Sequence, residues 1–192
     1  MIPTIEDVKA AAKRIEGIAV KTPLIRNDVL DEITGAKVWV KAENLQRGGA
    51  FKMRGATNAI SALEPEVRAK GVIAFSSGNH AIAVATASKI FGIKATIVMP
   101  ADAPKIKLDT TRSLGATVVT YDRVGESREE IGARLAAEGG LSLIKPFDDP
   151  FVLAGQGTAG LEIAELISPD IVFVPASGGG LSTGTALALP KA

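Results

Sequence analysis

The 192-residue chain has no cysteine and a single histidine, His80. Without cysteine there is no disulfide framework, no thiolate zinc site and no iron–sulfur cluster. One histidine removes most histidine-rich metal sites and leaves any hydrolytic triad a single candidate base. An excess of either charge is also missing: 22 Lys and Arg face 21 Asp and Glu, scattered without long runs. That balance argues against a nucleic-acid partner and against a membrane surface. No apolar run is long enough to span a bilayer without a charge or glycine break. The opening segment MIPTIEDVKAAAKR is amphipathic and acid-containing, with no apolar leader core, so a cytoplasmic protein is the expectation. What remains, 46% hydrophobic and 22% charged residues, is the composition of a folded globular chain and not of a disordered one.

From Gly71 onward, short Val/Ile-rich runs alternate with alanine-rich segments of helical period, punctuated by Gly or Pro. Strands are predicted at 72–75, 95–99, 117–121, 142–144 and 170–174, and helices at 79–91, 104–114, 127–137 and 157–166. Such rhythm predicts an α/β fold, with open parallel sheets covered by helices on both faces. Before Gly71 the pattern predicts a helix over 4–14, an irregular stretch over 21–25, a strand over 37–41 and a helix over 52–63. Two lobes are expected: a smaller one over 71–148, and a larger one from 1–70 and 149–192.

Four segments invite chemistry. Ser177-Gly178-Gly179-Gly180-Leu181 follows a predicted strand, where glycines let backbone N–H groups point at an anion and a helix start adds positive field. It lacks the Gly-Lys-Ser/Thr ending of a nucleotide P-loop, and the bland reading is a flexible turn. Ser76-Ser77-Gly78-Asn79-His80 again runs from strand to helix and offers hydroxyls, an amide and N–H groups to a carboxylate, or equally a plain helix cap. Lys52, between a Gly-Gly turn and an apolar helix, would serve as a Schiff-base amine or general base if desolvated, and is otherwise a solvated lysine. Gly155-Gln156-Gly157-Thr158-Ala159-Gly160 matches a dinucleotide fingerprint in letters only. No strand runs into it, and Asp170 begins the next strand where an acid should end one, so a nicotinamide oxidoreductase is an outsider.

Taken together and in order, Ala50-Phe51-Lys52-Met53-Arg54-Gly55-Ala56, Ser76-Ser77-Gly78-Asn79-His80 and Ser177-Gly178-Gly179-Gly180-Leu181 resemble the fold-type II pyridoxal-phosphate enzymes, nearest to the threonine/serine dehydratase and serine racemase group. Lys21-Thr22-Pro23-Leu24, Glu43-Asn44-Leu45-Gln46 and Pro146-Phe147-Asp148-Asp149-Pro150 running into Ala154-Gly155-Gln156-Gly157-Thr158 extend the likeness along the chain. The resemblance implies that Lys52 carries pyridoxal 5'-phosphate covalently, with Phe51 against its ring and Asn79 on its phenolic oxygen. Ser177, Gly178, Gly179, Gly180 and Leu181 would hold its phosphate. The amino-acid substrate's carboxylate would meet Ser76, Ser77, Gly78, Asn79 and His80, with Gln156 and Gly157 nearby. Lys52 would remove the α-proton and the β-hydroxyl would leave, giving a 2-oxo acid and ammonia from threonine, serine or 3-hydroxyaspartate. In racemising relatives a serine on the opposite face exchanges the proton, and Ser77 matches it, so a serine- or aspartate-type racemase is the nearest alternative.

Three positions depart from the family pattern: Ala50 stands where Ser is usual, Ser177 opens the glycine tetrad, and Ala81-Ile82-Ala83 replaces a Gln-containing run. The family's chains also continue past the glycine loop, so the resemblance covers an N-terminal part, with the larger lobe incomplete. Divalent-cation ligands, where family members have them, fall beyond this chain, and no metal site is expected within it. A homodimer, or pairing with a C-terminal part, is the implied assembly. The strand expected over 170–174 would then expose an apolar edge that favours association. The alternative of another class is a non-catalytic module that needs such a partner chain.

Overall fold

The computed structural model describes residues 2–189. At its start Thr4 and Asp7 cap each other reciprocally, which opens helix α1 (Ile5–Ile15). A short antiparallel pair follows, β1 (Leu24–Arg26) with β2 (Trp39–Lys41), connected through α2 (Asp28–Thr34). The stretch over 21–25 that reads as irregular therefore contains part of a strand, because its pairing partner lies across an intervening helix and is invisible locally. Helices α3 (Lys52–Ser61) and α4 (Pro65–Lys70) lead into the main sheet.

That sheet is parallel, with β3 (Val72–Phe75), β4 (Ala95–Pro100), β5 (Thr117–Tyr121) and β6 (Ser142–Leu143) in spatial order β5-β4-β3-β6. The crossovers are α5 (Asn79–Phe91), α6 (Lys105–Ser113) and α7 (Arg128–Gly139). Alternation along the strands sends Val72, Ala74, Ile97 and Met99 to one core with the alanines of α5, and Ile73 and Val98 to another with Ile131 and Leu135 of α7. Covered on both faces, these strands read as continuous apolar runs. The chain steps from β3 outward to β4 and β5, then returns to β3's other side as β6. The order therefore reverses between β3 and β6, and the crevice beyond their carboxyl ends is where open α/β sheets bind ligands.

The helix expected over 157–166 begins earlier, as α8 (Pro150–Ala164). Asp149 accepts from the N–H groups of Phe151 and Val152, each at 2.9 Å, and Pro150 occupies the first turn, where no N–H is needed. The glycine fingerprint at 155–160 is thus helix interior and not a phosphate turn. Its glycines mark close contacts: a Cβ on Gly155 would lie 2.6 Å from Gly55 Cα, and one on Gly157 would lie 2.7 Å from Gly184 O of α9 (Gly180–Ala188). These glycines let α8 pack at backbone distance on α3 and α9.

The strand expected over 170–174 does not form. The segment has no ladder partner among the described residues, and Ile171 and Phe173 are 72% and 91% exposed. Val/Ile content supplies propensity, but a strand exists only through hydrogen bonds to a neighbour. No helix among the described residues is long and apolar enough to cross a membrane.

Candidate functional site

The carboxyl ends of β3 and β6 launch two segments side by side. From β3 the chain passes through Ser76, Ser77 and Gly78 into the first turn of α5, where Asn79 is exposed and His80 buried. From β6 it runs through Ile144, Lys145, Pro146 and Phe147 toward Asp149. This second segment ties the site together. Ile144 O accepts from the His80 ring at Nε2, 2.9 Å away, and Pro146 O accepts from Lys52 Nζ at 2.6 Å. Phe147 lies against the glycine loop, so close that a Cβ on Gly178 would come within 2.3 Å of its ring. Lys52 and Gly178 therefore each touch one residue of a single dipeptide, whose Cα atoms are about 3.8 Å apart.

Lys52 is the first residue of α3 and half-buried, its Nζ 5.3 Å from the centre of the Phe51 ring. Desolvation lowers its pKa, since burial penalises the charged ammonium. At the other end, Gly179 adopts φ +82° as the N-cap of α9, and no side chain caps that helix. A left-handed φ at this turn suits glycine and leaves the first-turn N–H groups without a side-chain acceptor. Ser182 folds back, its hydroxyl donating to Gly179 O at 3.0 Å.

His80 is not a cation here. It is 3% exposed, and desolvation, with the charge of Lys52 adding to it, pushes its pKa down to about 4 despite the bond to Ile144 O. A carbonyl can only accept, so Nε2 carries the proton and Nδ1 keeps a bare lone pair with no partner among the described residues. The folded pKa lies below the ordinary value of 6.5. The folded state thus binds fewer protons than the unfolded one between those values, and stability is lost as pH falls from about 6.5 toward about 4. His80→Gln is expected to flatten this dependence, removing up to about 3 kcal/mol of slope across the window. Urea melts of both proteins at pH 7 and pH 4.5 check it, and an unchanged slope would refute the buried neutral ring.

The remaining sequence-predicted residues divide. Ser76 accepts from Gly78 N at 3.2 Å, and Ser77 is half-buried with no hydrogen bond to another described residue. Gln156 is fully buried inside the α3–α8 contact. Its Oε1 accepts from Gly55 N at 3.2 Å and its Nε2 has no partner among the described residues. Gly157 faces Gly184 and Val8, in helix packing. Ile82, one of the departures, lies against the Gly48 turn, 3.2 Å from where a Cβ would be. The residues that sequence reading passed over as site elements are Pro146 and Phe147, although a Pro-Phe-Asp-Asp-Pro run directly after a short strand marks the mouth of the crevice.

This donor set fits pyridoxal phosphate on two counts. An amine with a depressed pKa stands ready for a carbonyl, and an uncapped glycine turn offers N–H groups to a phosphate. Among the described residues, no group of three or more His, Asp or Glu could hold a metal ion.

Comparison with known proteins agrees with this chemistry. A family model described as pyridoxal-phosphate dependent enzyme matches residues 15–192. L-threo-3-hydroxyaspartate ammonia-lyase of Saccharomyces cerevisiae is 51% identical over 189 residues, which is 98% of this chain and 58% of that protein. Serine racemase of Schizosaccharomyces pombe is 47% identical, with the same coverage of both chains, 98% and 58%. The crystal structure of serine racemase from Dictyostelium discoideum superposes with a TM-score of 0.93 at 44% identity, over 97% of this chain and 61% of that one. The chain thus spans roughly three-fifths of the length of these relatives.

Proposed function

The chain belongs to the pyridoxal-phosphate-dependent enzymes, and on that premise we infer that it carries the lysine and the phosphate loop of an ammonia-lyase acting on β-hydroxy amino acids. The observation that carries this reading is that a half-buried amine and an uncapped glycine turn both contact the Pro146-Phe147 dipeptide. Lys52 would hold the cofactor, Phe51 and Asn79 would flank it, and the loop from Ser177 to Leu181 would take its phosphate. When bound, pyridoxal phosphate supplies an electron sink for the bond broken at the substrate's α-carbon.

This chain's own residues do the rest. Ser76, Ser77, Gly78 and Asn79, with the positive end of α5, would orient the carboxylate, and neutral His80 would hold the loop to Ile144. Freed from its covalent role, Lys52 Nζ would take the α-proton while the β-hydroxyl departs as water. The resulting enamine tautomerises and is hydrolysed, so one water leaves, one enters, and a 2-oxo acid and ammonia are released. The substrates named for the relatives support 3-hydroxyaspartate, threonine or serine as the class.

Racemisation is the second reading, supported by the Ser77 hydroxyl, which no described residue engages, and by relatives named serine racemase. A dimer, or completion of the larger lobe outside 71–148 by further chain, belongs to this proposal as well. The test is borohydride reduction of the intact protein with pyridoxal phosphate, followed by peptide mass mapping, with ammonia and the enantiomer measured on the same preparation. A reduced pyridoxyl group on Lys52 together with ammonia release is the expected result. Labelling spread over exposed lysines, with no ammonia, would overturn the reading.

A further inference from the structure

The loop proposed to hold the substrate's carboxylate carries no charge of its own. Ser76, Ser77, Gly78 and Asn79 are neutral, and His80 is held neutral by burial. A cation nevertheless stands on this loop, contributed by a different crossover. Lys107, in the first turn of α6, places its Nζ 3.9 Å from where a Cβ on Gly78 would lie.

Its surroundings set it apart from the surface lysines. Lys105, two residues earlier, has a side chain 88% exposed and paired with Asp109, which also meets Arg112. Lys107 is half-buried and forms no salt bridge and no side-chain hydrogen bond to any described residue. Neither α5 nor α6 has an acidic residue in its first turn. An ammonium within the first turn of one helix, facing the N-terminus of another, opposes both helix dipoles, at a cost of about 0.3–1 kcal/mol for each. Positive potential therefore accumulates at Gly78 from two helix ends and Lys107, with no acidic residue in the first turn of either helix to answer it. Such a field is relieved by a bound anion.

We propose that Lys107 is a substrate-binding residue whose ammonium pairs with the α-carboxylate of the amino-acid substrate held on the Ser76–Asn79 loop. This rests on the reading under Proposed function and names the charge partner that the loop itself lacks. The α-carboxylate is common to serine, threonine and 3-hydroxyaspartate, so Lys107 serves all of them and does not discriminate among side chains.

The test compares Lys107→Gln and Lys107→Arg with the wild type in the intact protein. Loss of one charge-assisted hydrogen bond predicts a KM about 10- to 100-fold higher for Lys107→Gln, with kcat within about threefold and most of the loss restored by Lys107→Arg. The same factor is expected for serine and for 3-hydroxyaspartate. A binding measurement that needs no turnover accompanies it: calorimetric titration with 2-methylserine, which has the α-carboxylate but no α-proton to lose. Its affinity is expected to fall by the same factor in Lys107→Gln. Equal affinity for wild type and Lys107→Gln would overturn the proposal, and so would a KM change confined to 3-hydroxyaspartate, which would put Lys107 on the distal carboxylate. If the wild type binds 2-methylserine through Lys107 yet releases no ammonia from serine, threonine or 3-hydroxyaspartate, the lyase reading falls and the carboxylate site stands.

Discussion

Lys52→Ala in the intact protein is expected to lower ammonia release by about a thousandfold or more, while leaving the fold in place. Two proposed roles disappear at once: the covalent attachment of the cofactor and the base that takes the α-proton. General acid–base catalysis alone contributes about 10²–10⁴-fold, and loss of the covalent anchor adds to that. The structural cost is small, because Nζ makes a single hydrogen bond, to Pro146 O, worth about 1 kcal/mol net. Lys52→Arg sharpens the result. A guanidinium can still donate to Pro146 O but cannot form an imine and does not deprotonate at working pH. It should therefore be as inactive as the alanine variant while melting like wild type. The pKa of Lys52 is lowered by burial, so the free amine exists at lower pH than it would on an exposed lysine. The checks are a coupled ammonia assay and a thermal melt. Activity within tenfold of wild type in either variant would remove Lys52 from the chemistry.

The second large effect lies two residues along the same helix. Arg54 is fully buried, yet it is ionised. Burial acts to discharge it, and the hydrogen bonds and charges of Glu43 and Glu162 more than reverse that, so its pKa is raised. Its guanidinium donates to both oxygens of Glu43, at 2.8 Å each, and to both oxygens of Glu162, at 2.6 and 2.9 Å. Thr158 and Val20 O accept from it as well, and Lys41 pairs with Glu162 from the other side. Two cations thus face two carboxylates at the junction of α3, α8 and the β1–β2 pair. Arg54→Met fills a similar length with carbon but leaves Lys41 alone against Glu43 and Glu162. Breaking a buried pair from one side costs about 3–5 kcal/mol, and that is the expected loss in denaturant unfolding. Adding Glu43→Gln to Arg54→Met should return part of it, since Glu162 keeps Lys41 while Glu43, which pairs with Arg54, then carries no charge. A loss below about 1 kcal/mol would mean that water enters and solvates the carboxylates.

How much of the site could be read in the sequence follows from the range of the interactions. Helix α5 was legible to the residue, because a strand, a polar loop and an alanine-rich run are all local signals. Helix α8 was misplaced at its start, although Asp149-Pro150 is a local cap signal. The run of glycines before 158 gives no helical pattern of its own, and in the structure these glycines are contact points, Gly155 on Gly55 and Gly157 on Gly184. The segment over 170–174 failed for a different reason. Its residues suit a strand, but hydrogen-bond partners are supplied by other parts of a chain.

Residue types and their order were enough for the α/β class and for the family, and they single out the lysine, the polar loop and the glycine turn of the proposed site, because covalent chemistry and anion binding demand particular atoms in particular local settings. Tertiary structure alone brought Lys52 to Pro146 and Gly178 to Phe147, buried Arg54 against Glu43 and Glu162, and brought Lys107 from another crossover onto Gly78. It alone made His80 neutral as well, by closing the core over the ring. Each of these depends on distance and desolvation between residues far apart in the chain. Those quantities come into being only when the strands reverse order between β3 and β6 and the helices pack over them.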